Sequence, residues 1–255
     1  MSNIVFGYTS ATVGALYLVL AAQVLAELRT NRGALAFGFI GAFTTCALHH
    51  LFHAHHLLIS EVAADVPEGL AMIASTLPAA AYVRLRFNAA IGRPADHEVD
   101  GLSTVWTGLL VASIAVSGGF VAWVLVRSAA RDGSLDPWAL WPGLVMFFAY
   151  LTVAWLLALT QVQRYRTEGV ISTSGVAFTA IFFTCSLSHY AYAFGRTDAD
   201  WHMAAADSVG VAGALTFVTI VVWLRRAHHR RYASLVGGAR VRDTKVVPPW
   251  VAAPS

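Results

Sequence analysis

The chain has 255 residues, of which 57% are hydrophobic and only 12% are charged, and its mean hydropathy is +0.62. Soluble domains carry about 25% charged residues, so this composition excludes an ordinary soluble domain and favours an integral membrane protein. The net charge of +3 and the isoelectric point near 9.1 indicate anchoring to anionic lipid headgroups, so the bilayer is the predicted partner and no nucleic-acid partner is expected.

Seven apolar segments follow one another along the chain, each about 20 residues long and therefore able to cross a bilayer as a helix. They cover residues 11–28, 34–58, 67–87, 103–127, 138–163, 170–194 and 203–224. The predicted fold is an all-α integral membrane protein with seven transmembrane helices in residues 1–225. Residues 226–255 form a basic tail that we expect to be cytoplasmic and flexible.

The basic residues predict the orientation of these helices. With the N-terminus outside and the C-terminus inside, 14 of the 17 basic residues lie on the inner side. Low lysine content with many alanines and arginines is typical of a GC-rich bacterial genome, so we expect a multi-pass protein of the bacterial cytoplasmic (inner) membrane. The single lysine, Lys245, lies in the tail and excludes a retinal Schiff base within the spans.

An internal repeat relates the two ends of the membrane domain. A shift of 139 residues brings the second span onto the sixth without a gap and continues into the following helix. Both copies contain the same pattern, which is Thr-Cys, a histidine four residues after the cysteine and a carboxylate 18 residues after that histidine. We predict a 3+1+3 architecture of parallel repeats, with repeat 1 over residues 11–88, a linker helix over 103–127 and repeat 2 over 138–226. The equivalent pairs are Thr45 with Thr184, Cys46 with Cys185, His50 with His189 and Glu68 with Asp207.

The second span contains an unusual run of histidines. Residues 46–58 hold five of the ten histidines of the chain, inside a segment where ionisable side chains are costly and usually functional. On a helix, Cys46, His49, His50, His53 and His56 fall within an arc of about 120°, while His55 points away. This face predicts a metal or proton site rather than packing against lipid.

Carboxylates complete the predicted site, because antiparallel neighbouring spans bring the outer half of span 2 next to the start of span 3. Imidazole with carboxylate suits zinc, iron or copper, whereas magnesium and calcium prefer an all-oxygen shell. We therefore predict a transition metal with zinc favoured, and copper, iron and haem as alternatives. The predicted ligands are His49, His50, His53, His56, His189, Glu68 and Asp207, and the predicted catalytic residues are Glu68 and Asp207. His50, His53, Glu68, His189 and Asp207 form the core of this set, whereas His49 and His56 are either ligands or partners that orient the ligands.

A family resemblance appears at these residues. Residues 185–189 read Cys-Ser-Leu-Ser-His and residues 207–212 read Asp-Ser-Val-Gly-Val-Ala, and the first repeat offers residues 46–50 followed by Glu68. In this pattern the chain resembles the superfamily of alkaline ceramidases and progestin/adiponectin-type receptors, seven-span proteins with a zinc site. The better copy lies at spans 6–7 instead of 2–3, and the His-x-x-x-His of the family's last span is absent there. The resemblance implies a zinc-activated water and hydrolysis of a lipid amide, with a carboxylate as general base.

Three functions remain open from the sequence. The first is a metal-dependent membrane hydrolase that acts on a lipid-like amide or ester. The second is a protein that handles copper or another metal in the periplasm, or that relays protons through the histidines and carboxylates. The third is a haem electron carrier, in which His50 and His189 would be the axial ligands from facing helices.

Overall fold

The computed structural model describes residues 3–27, 34–59, 66–90, 98–99, 137–169, 171–195 and 201–227, together with seven single positions between 112 and 126. Within these residues the chain is helical apart from one pair of short strands. The helices are α1 (Asn3–Glu27), α2 (Ala34–Ile59), α3 (Val66–Ala90), α4 (Pro137–Glu168), α5 (Thr173–Gly195) and α6 (Trp201–Ala227). The strands are β1 (Glu98–Val99) and β2 (Ile171–Ser172), which pair antiparallel.

Six of the seven predicted apolar segments coincide with these helices. The predicted fourth span, 103–127, lies outside the described residues except for the single positions, which are helical, and most of the predicted tail also lies outside them. α1 begins at Asn3, earlier than predicted, because Phe6 packs in a buried cluster with Leu57 and Met72. α4 continues to Glu168 and ends before Gly169, whose φ of 72° is the left-handed conformation that favours glycine after a helix.

Two described stretches, Asn3–Ala26 and Leu140–Arg166, are long and apolar enough to cross a membrane. Shorter apolar helical stretches occur at Leu70–Leu85 and Gly210–Trp223. In α2 the five histidines lower the average hydropathy of a helix that is otherwise apolar. These lengths and compositions are compatible with membrane insertion, and the long core helices of soluble proteins share them.

Side-chain contacts show that α2 and α5 run in the same direction. Pairs of residues touch in ascending order along both helices, which is possible only for parallel neighbours. The pairs are Phe39 with Phe178, whose ring centroids are 4.7 Å apart, Phe43 with Phe182 at 6.5 Å, and Cys46 with Cys185, whose Sγ atoms are 3.2 Å apart.

The other helix directions follow from similar contacts. Neighbours of α2 and α5 are antiparallel to them, and α4 is parallel to α6. Between α2 and α3 the contacts are Phe43–Tyr82 and the Leu57–Met72 cluster. Between α4 and α5 they are Gly143–Ala193 and Gln161–Gly175. Between α4 and α6 they are Gly143–Asp207 and Met146–Gly210. We call the end where α2 and α5 finish and α1, α3, α4 and α6 begin the site end, and the opposite end, which carries β1 and β2, the strand end.

Aromatic rings fill the centre of the bundle between α2 and α5. Phe178 is fully buried and contacts the rings of Phe39, Phe43, Phe182 and Tyr82. Burial of each such ring removes a large apolar surface from solvent and fixes the separation of the helices. The packed rings hold α2 and α5 in register, and the polar residues of the site follow directly above them towards the site end.

Candidate metal centre

Three helices place potential metal ligands at one level near the site end. His189 is six residues before the end of α5 and Asp207 is six residues after the start of α6, so each lies about 9 Å inside its helix end at a rise of 1.5 Å per residue. His49 of α2 lies at the same level, because it contacts both residues. The antiparallel packing of α2 and α6 and the parallel packing of α2 and α5 bring the three side chains together.

One carboxylate oxygen of Asp207 faces both histidines. The Nδ1 atom of His49 is 2.8 Å from Oδ1 of Asp207 in a hydrogen bond, and the Nδ1 atom of His189 is 3.1 Å from the same oxygen. The two imidazole rings are 4.4 Å apart between centroids. One donor atom from each of the three residues lies within 4.8 Å of the other two, so the three residues could hold a single metal ion.

This group is shielded from solvent. The exposed fractions are 2% for His49, 0% for His189 and 5% for Asp207. By geometry, neither ring nitrogen of His189 completes a hydrogen bond within the described part of the chain. A buried carboxylate is costly unless a cation or hydrogen bonds compensate it, and the two imidazoles beside Asp207 can do so as hydrogen-bond donors, as cations or by holding a metal ion with it.

A second group of donors lies one helical turn deeper and shares His189. The Sγ atoms of Cys46 and Cys185 are 3.2 Å apart, and both cysteines are buried. These two sulfur atoms and a ring nitrogen of His189 lie within 4.8 Å of one another. The sulfur atoms and imidazole are ligands that transition metals accept, so two candidate metal groups meet at one histidine.

Tyr150 of α4 connects the cysteines to the backbone of α2. The Cys46 thiol donates to the Tyr150 hydroxyl over 3.4 Å, and the Tyr150 oxygen is 3.3 Å from Oγ1 of Thr45. Thr45 already donates its own hydrogen to the carbonyl oxygens of Gly41 and Ala42, so Tyr150 is the donor to Thr45. This chain of hydrogen bonds fixes the position of the Cys46 sulfur atom.

A glycine allows α4 to approach the metal centre closely. A Cβ atom at Gly143 would lie 3.3 Å from Oδ2 of Asp207, 3.2 Å from the carbonyl oxygen of His189 and 3.1 Å from Cβ of Ala193. These distances are tighter than most real Cβ contacts, so any larger side chain at residue 143 would press on both ligands. Gly143 therefore sets the distance between α4 and the carboxylate.

Three other predicted ligands, His50, His53 and His56, lie outside these groups of donors. His50 is buried but faces α1, where its ring centroid is 5.6 Å from that of Tyr17 and its carbonyl oxygen accepts a hydrogen bond from Ser10. His53 is buried and His56 is half-buried, and among the described residues neither belongs to a group of three donors. The side chain of Glu68 lies outside the described residues.

The main difference from the sequence-based prediction concerns two neighbouring residues. The internal repeat predicts His50 with His189 as the central pair, whereas the structure brings His49 next to His189 and Asp207. Cys46 and Cys185, which are not among the predicted ligands, form the second group. The signal that points to these cysteines is their equivalence in the predicted repeat, because equivalent residues of parallel helices can meet at the axis between them.

Comparisons with known proteins identify no relative of this chain. No protein-family model, curated protein or solved structure matches the chain. The metal centre is therefore interpreted from its own geometry.

Proposed function

We propose that the chain is a seven-span membrane protein that binds zinc near the outer face of the bacterial cytoplasmic membrane. The single observation that carries the metal-binding proposal is the group of His49, His189 and Asp207, three buried donors from three helices within 4.8 Å. The elements of the proposal are a seventh span, its orientation, the repeat, the metal and the reaction.

The helix directions support the seventh span. α3 ends at the strand end and β1 pairs there with β2, whereas α4 begins at the site end. Residues 100–136 must therefore connect opposite ends of the bundle. One helix over the predicted span 103–127 would bridge about 38 Å at 1.5 Å per residue, which is enough for one crossing of the hydrocarbon core.

The basic residues support the orientation. Arg84, Arg86, Arg164 and Arg166 lie towards the ends of α3 and α4, which is the strand end of the bundle. The positive-inside rule places that end in the cytoplasm, so the metal centre faces the periplasmic side. The N-terminus is then outside and the C-terminus inside.

Helix contacts support the internal repeat. Under the shift of 139 residues, α1, α2 and α3 correspond to α4, α5 and α6. Helices α1 and α2 contact each other, and so do their counterparts α4 and α5. Likewise α1 contacts α3 as α4 contacts α6, and α2 contacts α6 as α5 contacts α3. A pseudo-twofold axis between α2 and α5 would produce this pattern, and Cys46 and Cys185 would lie on it.

The chemistry of the donors favours zinc over hard cations. Two imidazole nitrogens and one carboxylate oxygen are the ligand types of catalytic zinc sites, whereas magnesium and calcium prefer oxygen alone. Three protein ligands leave a fourth position, where zinc acts as a Lewis acid towards water or a carbonyl group. With Asp207 in the ligand set, Glu68 is the candidate general base, because the repeat makes Glu68 the equivalent of Asp207.

We infer that the reaction is hydrolysis of an amide or ester in a lipid-like substrate. The donors lie about 9 Å below the ends of α5 and α6, a depth where the polar linkages of lipids meet their acyl chains. His49, His189 and Asp207 would orient the ion towards such a linkage, and the buried rings beneath them would exclude water from below.

A haem carrier receives less support from this geometry. The predicted axial pair is His50 and His189, but the His50 ring faces Tyr17 of α1. The histidine rings that do meet, those of His49 and His189, are only 4.4 Å apart between centroids, whereas two axial histidines must stand on opposite faces of a porphyrin. These two rings leave no room for a macrocycle between them. A purified protein without a Soret band would agree with this reading.

The decisive experiment measures zinc content and hydrolysis on the same purified protein. We expect about one zinc per chain in the wild type, near-complete loss in Asp207→Asn, and no loss in His55→Ala, an exposed neighbour on α2. Release of fatty acid from ceramide-like and ester lipids should fall together with zinc content. Wild-type protein that binds no zinc would refute the metal assignment, and zinc binding without hydrolysis of any lipid would refute the enzyme alone.

A further inference from the structure

The deeper group of donors differs in chemistry from the proposed zinc site. It contains two thiols and one imidazole, from Cys46, Cys185 and His189, and no carboxylate. Thiolates are soft ligands that select monovalent copper, zinc or iron–sulfur clusters. The two thiols therefore favour soft metal ions, which the His49 imidazole and the Asp207 carboxylate do not select.

The number of donor atoms distinguishes monovalent copper from zinc at this group. Among the described residues no fourth donor joins Cys46, Cys185 and His189 within 4.8 Å. Zinc in a closed site takes four ligands, so this group is one donor short of a structural zinc site. Two soft thiolates with one imidazole are instead a suitable shell for monovalent copper.

We propose that Cys46, Cys185 and His189 form a binding site for monovalent copper, one helical turn below the zinc position. The inference extends the proposed function, since His189 belongs to both groups. An ion that enters from the site end would meet His49 and Asp207 first and the two cysteines next. The zinc position and the copper position are thus adjacent and share His189. One ring nitrogen of His189 cannot bind both ions at the same time.

Tyr150 is placed to stabilise the copper-bound state. In the structure its hydroxyl accepts the hydrogen of the Cys46 thiol. Each copper–sulfur bond would replace an S–H bond, with the thiol proton released to the aqueous phase and the sulfur atom bound to the ion as a thiolate. Rotation of the Tyr150 hydroxyl then allows it to donate to that thiolate, which is a stronger, charge-assisted hydrogen bond.

The composition of the chain makes this site easy to test, because Cys46 and Cys185 are its only cysteines. The purified protein is titrated anaerobically with monovalent copper, kept reduced by ascorbate, in competition with a chromogenic chelator. We expect about one copper per chain, and X-ray absorption of the wild type should show copper–sulfur scattering. Wild-type spectra with only nitrogen and oxygen neighbours would overturn the proposal without any variant.

Variants separate this site from the zinc position. Cys46→Ser with Cys185→Ser should lower the affinity for monovalent copper at least about 100-fold, since even partners outside the ligand shell change metal affinity 10–100-fold. Asp207→Asn should remove zinc binding but lower copper affinity only about 10-fold, because Asp207 contacts His189 without belonging to the thiolate group, and His55→Ala should change neither affinity. If the double serine variant folds and keeps its copper affinity, the thiolate site is wrong, whatever the outcome for zinc. Loss of zinc in Asp207→Asn tests the zinc proposal alone.

Discussion

Cys46 and Cys185 are 139 residues apart in the chain, and their Sγ atoms are 3.2 Å apart in space. The sequence separation equals the offset of the proposed internal repeat, in which the two cysteines would occupy equivalent positions. Phe39 and Phe178 share the same offset and also touch. Equivalent residues meet only where a symmetry axis passes between them, and in this chain that axis would run through the metal centre.

The two neighbouring histidines of α2 give the sharpest test of the ligand set. His49→Ala should lower zinc affinity at least about 100-fold, because it removes a proposed ligand and leaves Asp207 with one imidazole. His50→Ala should change zinc affinity less than about threefold, because that ring faces Tyr17. Both side chains are 2% exposed, so the pair is matched in burial. Zinc affinity is measured by competition with a chelator, and the reverse order would favour the pairing expected from the repeat.

Gly143 offers a test of the surroundings of the ligands. Gly143→Ala should lower zinc affinity about 10-fold without the loss of any donor, because the new Cβ presses on Oδ2 of Asp207 and on the backbone of His189. Gly119→Ala is the control, since a Cβ there meets no atom of the described structure within 4 Å. Equal zinc affinities of the two variants would show that the packing of α4 does not position the carboxylate.

The aromatic core should dominate stability. Phe178→Ala should lower the free energy of unfolding by about 3–5 kcal/mol, since the ring is fully buried and the remaining cavity is lined by other rings. Phe148→Ala, at a side chain that is 61% exposed within the chain, should change it by less than about 0.5 kcal/mol. Unfolding is followed by circular dichroism in detergent. A small effect at Phe178 would mean that the bundle collapses around the missing ring.

The proposed seventh span makes a prediction about sidedness. In a variant without its native cysteines, Glu98→Cys should react with an impermeant maleimide only from the cytoplasmic side, because β1 lies at the strand end. Asp136→Cys, next to the start of α4, should react only from the periplasmic side. The assay compares intact cells with inverted vesicles. Labelling of both positions from one side would exclude a crossing between residues 100 and 136.

The amino-acid sequence by itself predicts much of this architecture. Long apolar segments predict helices, because backbone hydrogen bonds in an apolar environment must be satisfied within the segment, and six of the seven expected helices are present. The sequence also indicates where donors accumulate, since five histidines within one apolar helix are unusual. It includes His49, His189 and Asp207 among seven candidate ligands, but it favours His50 over His49.

Only the tertiary structure distinguishes among those residues. Consecutive residues of a helix point about 100° apart, so His49 and His50 both belong to a broad polar face, and the positions of α1, α5 and α6 decide which ring meets Asp207. The same packing turns Cys46 and Cys185 from two distant, unremarkable residues into neighbours. The periodicity of one helix therefore restricts a ligand to a face, whereas the contacts between helices determine which residues share an ion.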